Sequence, residues 1–293
     1  MGWLALFLTL ASGAFAKEVE RHLAEMTAQV KEGTREIING GVRSEEAIQL
    51  VQGMQESRFS MDQILKAQEI LLEARRKGLP ARPVVNKAFE GMAKQIPPEN
   101  TLRAMETVLA RYEFAYGQAR SLTRDKESSE RLGNLLAESL AAGFSKHDAS
   151  DTMRRFQEQS VKVGSEQSTR LAAAGLAMVR DMSRMGVSSD VSAQVISHAL
   201  SQGYSAAEIS GMHQSLVSQA QSLSPQSVAQ GFAQSMQQGQ TPQGSGSAPG
   251  GHSGSGSAGA VGGGAGGGGS GGSGGAGGGS GGGPGGGSGG GNR

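Results

Sequence analysis

Four cations gather around one turn in the stretch "EARRKGLPARP": Arg75, Arg76, Lys77 and Arg82. Clustered guanidinium and ammonium groups can hold an anionic glycan, a lipid headgroup or a nucleic acid. The competing reading is structural, because the unpaired carbonyls of a helix's last turn attract cations without any ligand. A second candidate lies in "RYEFAYGQARSL", where Tyr112 and Tyr116 are four residues apart and share one face of a helix, while Phe114 points elsewhere. Such a pair either forms an aromatic contact surface or packs into a core.

Other chemistries find less support. The five histidines, His22, His147, His198, His213 and His252, are scattered. The best pair, His198 and His213, would differ in height by about 4–5 Å on facing helices that rise 1.5 Å per residue, although Glu208 could lie between them. Serine is abundant for capping and solvation, so its frequency carries no signal for acyl transfer. No G-x-S-x-G elbow, phosphate-cradling glycine loop or H-E-x-x-H is present. Glu45 and Glu46 suit the first turn of a helix, where the dipole favours carboxylates. The sequence therefore predicts no catalytic residue, no cofactor and no metal site, and a protein that is not an enzyme.

The elements that would position these residues are announced by a repeated phrase. "SQGYSAAEIS" shares a Gly, apolar, Ser-or-Pro order with "AAGFSKHDAS", "SRMGVSSDVS" and "RRKGLPARPV". Glycine accepts the left-handed conformation that closes a helix, and serine supplies an acceptor for the unpaired N–H groups of the next. In the first phrase Gly203 closes one helix, Ser205 caps the following one, and Glu208 completes a capping box. Tyr204 and Ile209 occupy the two positions of a hydrophobic staple. The same i, i+5 pairing predicts boundaries at Phe59, Leu79, Ile96, Phe144, Val187 and Leu223, with two more hidden near 121–129 and 163–165.

Units of about twenty residues between these marks hold one helix of three to four turns and a connector. Between them, Ile64, Leu65, Ala67, Gln68, Ile70, Leu71, Leu72 and Ala74 in 61–76, and Leu171, Ala174, Leu176, Met178, Val179, Met182 and Met185 further on, repeat at helical spacing. No segment alternates as a strand. The predicted fold is all-α, an array of about ten short antiparallel helices, α-solenoid-like or an irregular helical bundle.

The two ends bound a central region from 17 to 238. Residues 1–16 are apolar and uncharged and end in Ala14-Phe15-Ala16, the small-x-small pattern of a cleaved secretory signal. Residues 239–293 are almost wholly Gly and Ser, a composition that predicts a disordered tail. The chain has no cysteine, so no disulfide or thiolate site can hold it. Residues 17–208 carry 26 Lys or Arg and 26 Asp or Glu, a balance that gives no support for nucleic acid as the main partner.

No later run is apolar enough to span a bilayer. The charge-free stretch "SQAQSLSPQSVAQGFAQSMQQGQ" is either a terminal capping helix or a docking face, so oligomerisation is possible on this reading. These features predict an exported, periplasmic or extracellular, non-enzymatic scaffold that binds a protein or an envelope component, with a glycine-rich tether. The alternatives are an amphipathic lipid or envelope-surface binding protein and a cryptic envelope hydrolase or its accessory.

Overall fold

A computed structural model describes residues 27–240, and among these residues the protein is entirely helical, without a strand. Eleven helices follow one another: α1 (Ala28–Asn39), α2 (Ser44–Glu56), α3 (Met61–Arg76), α4 (Arg82–Ala93), α5 (Pro98–Leu122) and α6 (Lys126–Ala141). They continue as α7 (Lys146–Val163), α8 (Ser165–Arg184), α9 (Ser189–Ser201), α10 (Ala206–Gln219) and α11 (Pro225–Gln237). The predicted signal at 1–16 lies outside the described residues, as does the predicted tail apart from Gly239 and Gln240.

The repeated phrase is a chain of helix closures. At seven of the ten turns between described helices the residue after the left-handed position donates its N–H five residues back, as Val42 does to Ile37 (3.2 Å), Phe59 to Met54 (2.9 Å), Phe144 to Ser139 (3.0 Å) and Tyr204 to Ala199 (3.0 Å). This is the Schellman geometry, in which carbonyls of the last turn find donors. Gly203 has the expected positive φ of 75°. Ser60 with Gln63 and Ser205 with Glu208 form full capping boxes.

Several expectations need correction. There are eleven described helices rather than ten, because the turn at Gly41–Val42 leads into Arg43, which offers no capping oxygen and breaks the phrase. Pro80 does not cap α4, which begins at Arg82. Ser188 makes no side-chain cap; its hydroxyl accepts from Gln226 at 3.1 Å. Leu223 is 58% exposed, so its staple is not closed.

The helices stack in two layers. Each odd-numbered helix packs on the next odd one, from α1 through α3, α5, α7 and α9 to α11. In the even layer α2 packs on α4, and α6 on α8 and α8 on α10, but α4 and α6 make no comparable contact. Alternate packing of this kind is what a solenoid of helix pairs requires. Two apolar cores result, one running from Val30 to Tyr116 and the other from Ala115 to Met236, and α5 contributes to both.

Glycines let the layers approach. A Cβ on Gly133 of α6 would stand 2.4 Å from the ring of Tyr116 on α5, and one on Gly175 of α8 would stand 2.6 Å from Phe156 on α7. Phe156 has no exposed surface, and truncating such a residue to Ala costs about 3–5 kcal/mol.

Candidate functional site

The basic turn is partly consumed by the fold. Arg75 donates from Nη1 to the Glu36 carbonyl at 3.4 Å, covering the end of α1. Lys77 lies 2.8 Å from Glu113 and 2.7 Å from Glu73, contacts that raise its pKa, Glu113 contributing most. Arg76 and Arg82 are exposed and form no ion pair with a described residue. The structure adds a cation that the sequence did not place there: Arg120 of α5 donates from Nη2 to the carbonyls of Lys77 and Gly78, both at 3.0 Å. Its guanidinium also lies 5.7 Å from the centroid of the Tyr116 ring. Arg124 and Lys126 stand beside it around a recess that reaches Gly78 and Ser129.

The two predicted aromatic residues have different fates. Tyr116 is 3% exposed, its hydroxyl donates to Asn134 Oδ1 at 3.0 Å, and burial pushes its pKa up to about 12. It is a core residue, held between the two layers. Tyr112, one turn earlier, is half-buried, with its ring centroid 6.2 Å from that of Tyr116 and the planes tilted by 44°. Its pKa is also raised, by burial first and then by Glu138. Phe114 points away, beneath the ammonium of Lys146 at 5.6 Å.

Tyr112 forms part of the floor of a groove of about 280 Å³, where the even layer opens between α4 and α6. Lys87 and Glu90 line it from α4, Arg111 from α5, and Glu138 and Ala141 from α6. Glu90 is held at a pKa of about 2 by hydrogen bonds from Lys87 at 2.5 Å and Lys94 at 2.6 Å. Glu138 is engaged by Arg184 at 2.8 Å and Arg180 at 3.6 Å. Both acids of the groove are thus neutralised by neighbours, whereas Arg111 forms no ion pair with a described residue.

The histidines do not converge. His213 Nε2 is 3.0 Å from Asp181 Oδ2, close enough for an ion pair but off the line of a hydrogen bond. Burial pushes the Asp181 carboxyl upward, but the bonds from Arg180 and the charges of Arg180, His213 and Arg184 outweigh it and the net shift is downward. Among the described residues no group of three His, Cys, Asp or Glu is placed to hold a metal. His22 and His252 lie outside the described residues. Ser145, Asp148 and Ser189 do cluster, with both hydroxyls on Asp148 Oδ2 at 2.8 and 2.5 Å, but they serve to cap α7 and tie its start to α9.

No helix among the described residues is long and apolar enough to cross a membrane. No protein-family model matches the sequence, and no curated protein or solved structure matches it at a significant level.

Proposed function

We propose that this protein is an exported helical-array scaffold that docks a partner protein in the groove over Tyr112. The observation that carries this reading is the interruption of the even layer. Helices α4 and α6 both pack on α5 but make no comparable contact with each other, which leaves one face of a central helix open between two walls. Repeat arrays bind through such preformed surfaces. A half-buried tyrosine in a groove supplies the rigid, amphipathic contact that dominates many interfaces. With both groove carboxylates engaged, Arg111 gives the site a local positive character that suits a partner segment carrying an acidic residue beside an apolar one.

Export is supported by the apolar, uncharged residues 1–16 with their small-x-small ending. A spacer or tether role for 239–293 is supported by composition, since a Gly-rich coil of 55 residues spans about 40 Å.

A photo-crosslinking amino acid at position 112 of the full chain tests this reading. One defined adduct should form in the envelope or secreted fraction, on a protein chain beginning at Lys17, and disappear when Arg111→Glu is added. An adduct pattern identical to that from a crosslinker at exposed Gln214, or recovery only of chain beginning at Met1, would overturn it.

A further inference from the structure

We infer that the edge formed by the α1–α2, α3–α4 and α5–α6 turns binds an acidic polysaccharide, a sulfate- or phosphate-bearing chain lying across successive turns. This surface shares no residue with the groove over Tyr112 and does not depend on it. Residues 40–43, 75–82 and 120–126 contain eight Lys or Arg and one carboxylate, Asp125, which is occupied in accepting the Ser128 N–H at 2.8 Å. Acids outside these segments pair with three of the cations, Glu46 with Arg43 at 3.5 Å, Glu73 and Glu113 with Lys77, and Glu130 with Lys126 at 3.8 Å, while Arg76, Arg82 and Arg124 pair with no described acid. The three turns are joined side by side through Arg75, on the Glu36 carbonyl, and Arg120, on the carbonyls of Lys77 and Gly78.

Ordinary helix capping does not account for this charge, for two reasons. Cations belong at the last turn of a helix, which explains Arg75 and Arg120. Arg43, however, is the N-cap of α2, Arg82 and Lys126 are the first residues of α4 and α6, and Arg124 precedes α6 by two residues. There the dipole opposes a positive charge, and although Arg43 and Lys126 have Glu46 and Glu130 as partners, Arg82 and Arg124 have no ion pair with a described residue. The second reason comes from the other half of the array. Gln159 Nε2 donates to the Leu200 carbonyl at 3.3 Å, and Gln202 Nε2 to the Met236 carbonyl at 3.1 Å. Neutral amides there make the contact that arginines make here. Residues 162–165, 201–206 and 237–240, the matching turns, contain a single lysine.

The shape of the charged strip selects the ligand. Packed helices lie 8–10 Å apart, so three turns make a row about 16–20 Å long and one turn wide. A linear polyanion with repeated charges fits such a row and releases counterions as it binds. Val42 and Leu79 are buried at 8% and 7% exposure, so the edge has no apolar wedge to enter a bilayer. Its nearest ring, Tyr116, is buried with Arg120 beside its face, which leaves no platform for stacking bases.

Heparin is the probe, titrated calorimetrically into the full mature chain at low salt. Arg43→Gln/Arg82→Gln/Arg124→Gln/Lys126→Gln should weaken binding at least tenfold and flatten its dependence on salt. The charge-matched set Lys66→Gln/Arg103→Gln/Arg154→Gln/Arg155→Gln, off this edge, should change it less than threefold. Circular dichroism should show native melting for both sets; if the first fails to fold, Arg82→Gln/Arg124→Gln, which removes no ion pair, should still weaken binding threefold or more. Tyr112→Ala should leave heparin binding intact. Equal losses from the two sets would overturn the assignment, as would tighter binding to charge-matched single-stranded DNA or to anionic phosphatidylglycerol vesicles than to heparin.

Discussion

The two halves of the array solve one structural problem with different chemistry. Contacts from side chain to helix end run outward from the middle in both directions: α5 reaches α3 and α3 reaches α1 through Arg120 and Arg75, while α7 reaches α9 and α9 reaches α11 through Gln159 and Gln202. The carbonyls need a donor and not a charge. What the amino-terminal half adds by using arginine is potential along its edge, and a feature that folding does not demand is a sign of use. The glycine contacts differ in the same sense. Gly33 and Gly91 make room for the polar ends of Gln68 and Thr101, whereas Gly133 and Gly175 make room for the rings of Tyr116 and Phe156.

The sharpest way to test that contrast is a pair of alanine substitutions. Gly175→Ala would place a Cβ 2.6 Å from Cζ of a wholly buried phenylalanine, with Ile196 behind at 3.7 Å, and is expected to cost about 2–3 kcal/mol. Gly33→Ala meets the far end of Gln68, which can withdraw, but only by giving up its bonds to the Val30 carbonyl and to Thr34 Oγ1, both 3.0 Å. About 1–2 kcal/mol is expected. Urea denaturation followed by circular dichroism gives both values, and a larger loss at Gly33 would contradict the distinction between ring and amide packing.

A smaller difference separates the turns themselves. From Gly143 onward every described residue with positive φ is glycine, but in the amino-terminal half Arg58 and Gln95 take φ of 62° and 53°. Gly203→Ala should therefore destabilise by about 1 kcal/mol, since its Cβ would meet nothing and only the backbone conformation objects. Gln95→Gly should do the reverse and stabilise by about 0.5–1 kcal/mol. Changes of the same sign at the two sites would show that the loop around Ile96 is not strained by its conformation.

Local features were legible in the sequence. The apolar spacing over 61–76 coincides with α3, the Ser205–Glu208 box is formed, and Gly164, with φ of 83°, divides α7 from α8. Each depends on residues within one helix turn of each other. The turn at Gly41 carries no such signal, because Arg43 at the N-cap offers no side-chain acceptor. The opening between α4 and α6 was not legible either, since helical periodicity says which face is apolar but not which neighbour covers it. Nor was the meeting of Arg120 with the Lys77 carbonyl, 43 residues apart in the chain, which turned a local basic cluster into part of a longer edge. Of the two tyrosines on one face, Tyr116 packs against Gly133 as a core residue while Tyr112 is left half-buried, a difference that their spacing does not announce.

Hydrogen exchange of the full chain with and without saturating heparin tests most directly whether the unequal charge of the two halves marks a binding edge. Protection should increase in peptides covering 40–43, 75–82 and 120–126 and stay unchanged in those covering 162–165, 201–206 and 237–240. Equal protection of the two sets, or protection confined to the carboxy-terminal turns, would contradict it.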